Sequence, residues 1–80
     1  MSPKEARKLL GLTQAKMAAL MGVHIHTFIK WESGERIMAA SARRLLDTLM
    51  WLVNKDIVTI HQFGEFIENI EPSKGETNGK

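Results

Sequence analysis

Apolar residues recur along this chain at intervals of three and four, and no stretch alternates apolar and polar residues long enough to make a half-buried strand. The pattern predicts five helices and an all-α fold. The first runs from about Pro3 to Leu10: Ser2 is placed to cap it, and Pro3 suits the first helical position. Ala6, Leu9 and Leu10 form its apolar stripe, and Gly11 ends it. The second starts after Thr13, another capping residue, and reaches Met21 with Met17, Ala18, Leu20 and Met21 turned inward. Gly22 breaks the chain. The third runs from about His24 to Glu32, burying Phe28 and Trp31, and "SGER" is the loop behind it. The fourth covers about Ala39 to Asn54, where Leu45, Leu46, Leu49, Leu52 and Val53 keep helical spacing while Met50 and Trp51 lie off that stripe.

After the turn "NKD", Thr59 and Gln62 make a capping-box pattern that opens a fifth helix. Ile60, Phe63, Ile67 and Ile70 share one face of it, Phe66 lies beside them, and Pro72 stops it. The tail "EPSKGETNGK" carries no apolar residue and is predicted to be disordered. The expected organisation is one domain over residues 1–70, closed by a helical segment at about 57–70, with a tail at 71–80.

Length changes the picture first. Eighty residues make one domain, which buries only about 60% of its unfolded surface and gains from a partner subunit. Cysteine is absent, which excludes disulfides and thiolate metal sites and suits a reducing cytoplasm. The opening "MSPKEARKLL" is too polar for a signal peptide. The longest apolar run, "LLDTLMWLV", is broken by Asp47 and is far shorter than the ~20 residues of a membrane span. A cytoplasmic protein with no membrane partner is expected.

Charge is unevenly spread. Residues 1–55 carry nine Lys/Arg and four acids, a net +5, whereas residues 56–80 carry two bases and five acids, a net −3. A basic first part points towards a polyanion such as nucleic acid, although a mildly basic surface is also common in small soluble domains.

The stretch "LTQAKMAALMGVHIHTFIKWESGER" places a glycine between two short helices. Two helices joined by so short a turn form a helix-turn-helix unit. Its geometry needs a small residue where the helices cross, which Ala18 supplies, and a residue tolerant of positive φ in the turn, which Gly22 supplies. Met17, Met21, Val23, Phe28 and Trp31 are placed to fill the angle between the helices.

On these residues the chain resembles the Cro/cI-type, XRE-like transcriptional regulators. The resemblance covers roughly residues 3–54 and is strongest over 13–34: Gln14 opening helix two, Ala18 four residues on, Gly22 four beyond that, Phe28 and Trp31 inside the next helix, then "KWESG". It implies a five-helix, lambda-repressor-like domain that binds double-stranded DNA. The chain departs from the pattern at His24, where relatives often have Ser or Thr, and in the loop "RIMAAS", where they usually carry a proline and a small capping residue.

If helix three enters the major groove, its N-terminal, outward residues meet base edges. His24, Ile25, His26, Thr27 and Lys30 are the candidates, with His26 and Lys30 foremost. Lys30 can donate to guanine O6 or N7, a histidine to guanine or phosphate, and Thr27 or Ile25 can touch a thymine methyl. Thr13, Gln14, Lys16, Arg36 and Arg43 are the phosphate candidates, and Arg44 a further one. Protonation of His24 or His26 is expected to tighten binding at lower pH. No metal site is expected from "HIH", because residues i and i+2 of a helix point about 200° apart.

Ile60, Phe63, Phe66, Ile67 and Ile70 could simply finish the monomer core, but together with Met50 and Trp51 they are more apolar surface than one small domain is expected to bury, which predicts a two-fold homodimer through this region. Two recognition helices about 34 Å apart would then read a palindromic operator. The leading reading is a repressor that occludes and autoregulates its own promoter. The alternative is an antitoxin that also neutralises a partner protein, for which the tail lacks apolar anchors. No cofactor is implied. An enzyme is not expected, since no nucleophile, Ser/His/acid grouping or phosphate-cradling glycine loop is present.

Overall fold

A computed structural model describes residues 1–70. It has five α-helices: α1 (Pro3–Leu10), α2 (Gln14–Met21), α3 (Ile25–Ser33), α4 (Ala40–Asn54) and α5 (Ile60–Asn69), with no strand among the described residues. The tail expected at 71–80, with Pro72, lies outside the described residues.

Local chemistry sets most of the boundaries. At α1, the Ser2 hydroxyl accepts the Glu5 N–H at 3.1 Å and the Glu5 carboxylate accepts the Ser2 N–H at 2.9 Å, a complete capping box. Thr59 and Gln62 make the second one at α5, at 3.1 and 2.8 Å. Helix α2 is capped by Thr13, whose Oγ1 accepts the Lys16 N–H at 3.1 Å. Helix α4 is the exception: it starts at Ala40, and Ala39 has no side-chain oxygen to cap it. Behind α4 the turn is made by Asp56, a non-glycine residue at φ 60°; a short polar side chain tolerates that region best after glycine.

The core draws on every helix. Ala6 and Leu10 of α1 meet Met17, Ala18, Leu20 and Met21 of α2, Phe28 and Trp31 of α3, Leu46 of α4 and Phe63 of α5. Phe28 and Trp31 meet edge to face, their rings 6.1 Å apart and inclined at 71°. Leu12, Val23, Met38, Leu49, Val53 and Val58 lean against this cluster from its margins.

Several expectations from the sequence are corrected here. Leu9, assigned to the stripe of α1, is 59% exposed. Leu45, assigned to the stripe of α4, is also turned outward, and Leu46 is the only residue of that helix fully in the core. Phe63 was expected at a dimer surface but is 6% exposed and belongs to the monomer core. It is the one buried residue of α5, the helix that packs against α2.

Candidate nucleic-acid interface

Among the described helices, α2 and α3 make the most extensive pairwise contact. The turn between them depends on Gly22, at φ 73° and ψ 30°. In that conformation the Gly22 N–H donates to the Ala19 carbonyl at 3.2 Å and the Val23 N–H to the Ala18 carbonyl at 3.0 Å. This is a Schellman closure, which satisfies carbonyls the helix end would leave open. Ala18, fully buried, has no side chain beyond Cβ to hold α3 away.

A second element fixes α3 at its C-terminal end. Glu32, whose side chain is 6% exposed, receives Arg7 Nε from α1 at 2.6 Å and Gln14 Nε2 from α2 at 2.9 Å. Arg7 Nη2 approaches the other carboxylate oxygen at 3.4 Å, and Nη1 donates to the Leu12 carbonyl at 3.2 Å. Three helices therefore meet on one carboxylate. Burial pushes the Glu32 carboxyl upward, but the hydrogen bonds from Arg7 and Gln14 and the Arg7 charge outweigh it, so it titrates below its ordinary value.

With Phe28 and Trp31 inside, helical spacing of 100° per residue puts His26, Ile29, Lys30 and Ser33 on the opposite face of α3. The two foremost candidates, His26 and Lys30, thus share the outward face. Thr27 lies on its flank and is partly covered. Ile25 leans partly against the core, which leaves it less to offer a base. Ile29 and Ser33 were missed by the sequence reading, although the same wheel marks them once Phe28 and Trp31 are fixed inside. Ser33 is already engaged: its hydroxyl donates to the Lys30 carbonyl at 3.1 Å and accepts the Glu35 N–H at 3.3 Å.

His24 is not in the helix. It is the N-cap, with φ −68° and ψ 145°, and its Nδ1 accepts the His26 N–H at 3.1 Å. The geometric reason given for separating the two histidines fails with it, since their rings lie 4.8 Å apart. Among the described residues no group of three or more His, Cys, Asp or Glu could hold a metal ion.

The phosphate candidates divide. Lys16 and Arg36 are exposed, as is Arg44. The Thr13 hydroxyl accepts the Lys16 N–H as the α2 cap, which still leaves its O–H to donate. The Gln14 amide is committed to Glu32, which leaves its backbone N–H, at the first position of α2, open to an anion. Arg43 donates to Asp47 at 3.0 Å and to the Met1 carbonyl, so its charge is partly answered within the chain.

The residues expected at a dimer surface do not lie together either. Trp51, 54% exposed, and Met50 line a shallow apolar hollow with Met1, Leu9 and Val53, against α1. Phe66, 50% exposed, lines a separate groove of about 350 Å³ between α4 and α5, with Leu20, Leu45, Leu49, Val58 and the floor residue Phe63. No residue is common to the two. Ile60 is exposed, and Ile67 and Ile70 are half-buried.

Two capped helices around a left-handed glycine, with an outward polar face on the second, define a helix-turn-helix DNA-binding domain. Comparison with family models agrees: a helix-turn-helix family model matches residues 4–49. The chain belongs to the Cro/cI-type, XRE-like helix-turn-helix family and is a DNA-binding transcriptional regulator. Comparison with curated proteins and with solved structures gave no match. No helix among the described residues is long and apolar enough to cross a membrane.

Proposed function

We propose that the protein is a dimeric repressor that reads an inverted-repeat operator in its own promoter through α3. The observation that carries this reading is the shared outward face of His26 and Lys30, on a helix fixed at one end by its cap and at the other by Glu32. Lys30 and His26 donate to base edges, with Thr27 beside them. Lys16, Arg36 and the N–H groups at the start of α2 hold phosphates and set the register. Arg43 has a smaller part than the sequence reading gave it, because Asp47 competes for its guanidinium.

Dimerisation through the α4–α5 groove supports operator reading, because one helix-turn-helix module makes few contacts and pairing raises effective concentration. In that arrangement Phe66, Leu45 and Leu49 face the partner copy, and Trp51 and Met50 stay outside the two-fold contact. Repression follows from occlusion of the promoter by the bound dimer. Autoregulation is the family's common pattern for short regulators.

The test is fluorescence anisotropy with the DNA directly upstream of the gene against scrambled DNA, at two salt concentrations. The expected result is nanomolar binding to the first only, with affinity falling steeply as salt rises. Equal, weak binding to both would overturn the operator reading.

A further inference from the structure

The N-terminus of α3 is capped by a group that can do so in only one of its forms. Among the described residues, the His24 Nδ1 contact with the His26 N–H, at 3.1 Å, is the only side-chain hydrogen bond to the first turn of that helix. A ring nitrogen accepts a hydrogen bond only when it carries no proton. A capping His24 is therefore neutral, with its proton on Nε2. We infer that the cap fixes His24 in the Nε2–H tautomer and makes the order of the first turn of α3 depend on that imidazole staying uncharged. His24 is thus a positioning residue for the base-reading helix.

A proton added at Nδ1 turns the acceptor into a second donor facing the His26 N–H. The new charge lies at the positive end of the α3 dipole and beside the His26 ring, 4.8 Å away. Among the described residues, no carboxylate of α1, α2 or α3 is left free to compensate it. Lys16 is the only charged side chain of α2. From α1, Glu5 is held in its own capping box, Arg7 is bound to Glu32, and Lys4 and Lys8 are cations. Within α3, Lys30 is a cation, and Glu32 is held by Arg7 and Gln14 eight residues, or about 12 Å, along the helix. A proton on Nδ1 accordingly removes the cap.

This reverses for His24 the expectation that protonation tightens DNA binding, and leaves that expectation to His26, whose ring is exposed. It also has a consequence for base reading that rests on the proposed function. Neutral His24 presents a donor only, suited to guanine O6 or N7 or a phosphate oxygen, and has no acceptor left for the amino group of adenine or cytosine.

The test uses the full chain without DNA, so that it stands apart from the operator reading. Long-range proton–nitrogen NMR on the imidazoles at pH 7.5 reports the tautomer of His24. Amide exchange of His26, corrected for intrinsic rates, is compared at pH 7.5 and 5.5. The expected result is an unprotonated Nδ1 at pH 7.5 and a loss of His26 protection of about fivefold on acidification, the size of a lost N-cap. His24→Asn and His24→Ser, which cap at either pH, are expected to keep that protection. An Nδ1–H tautomer would overturn the inference. So would unchanged His26 protection in the wild type, or an equal loss in His24→Asn.

Discussion

Arg7 of α1 and Glu32 of α3 meet at 2.6 Å across 25 positions of sequence, with Gln14 of α2 donating to the same carboxylate. The contact joins the first helix to the helix that faces DNA. Because the Glu32 side chain is almost wholly buried, removal of Arg7 leaves a charge with half of its partners missing. Arg7→Met is expected to lower unfolding free energy by about 3 kcal/mol, measured by urea denaturation. A double-mutant cycle with Glu32→Gln should recover part of the loss. A loss below about 0.5 kcal/mol would mean that the pair is only decorative.

The same carboxylate sets an acid limit. Its folded pKa is depressed, so its contribution to stability is complete above the ordinary glutamate value of ~4.3 and is lost as pH falls through the lower folded value. Glu5, held by the Ser2 backbone and hydroxyl, shifts in the same sense but is exposed. Denaturation midpoints from pH 6 to pH 2.5 should show an acid-side decline that is smaller in Glu32→Gln. Identical pH profiles would remove Glu32 from the explanation.

Gly22 isolates the cost of the turn. A Cβ built there meets no atom within 4 Å, so its φ of +73° is the sole obstacle. Gly22→Ala is expected to cost about 1 kcal/mol, or roughly 4–8 °C in Tm for a domain of this size. Gly22→Asn should cost less, because asparagine visits that region more readily. Calorimetry on the two variants checks the order.

The separation of the two apolar faces makes the dimer proposal specific. Phe66→Glu, in the α4–α5 groove, should give a monomer by sedimentation equilibrium with its helical circular dichroism intact. Trp51→Ser, on the other face, should leave the association unchanged. The opposite pattern would move the interface to α1 and α4.

Much of this was legible in the sequence because it is written in local chemistry. Gly11 and Gly22 fall where the helices end, Thr13 and Thr59 where they start, and Phe28 and Trp31 inside by period alone. Tertiary geometry was less accessible. Leu9 and Leu10 are adjacent and equally apolar, yet Leu10 enters the common core while Leu9 lies exposed at the hollow beside α4. Phe63 and Phe66 lie three residues apart on α5, yet one completes the core and the other faces outward, depending on where α2 lies. Glu32 depends on partners distant in the sequence. Nothing in its neighbours could have named Arg7 or Gln14, at 25 and 18 positions away, as its partners. His24 was taken for a helical residue because imidazole is an uncommon cap, and that one-position shift brought its ring next to His26.

The central claim is that the outward face of α3 reads bases. The most direct measurement is the ratio of affinities for operator and scrambled DNA, by anisotropy at fixed salt, for the wild type, Lys30→Ala, His26→Ala and Arg36→Ala. The expected result is that Lys30→Ala and His26→Ala each lose about 1–3 kcal/mol on the operator and little on scrambled DNA, so the ratio collapses. Arg36→Ala should weaken both alike and lower the salt slope by about one. Uniform weakening by all three, with the ratio unchanged, would contradict base reading by α3 and leave these side chains as phosphate contacts alone.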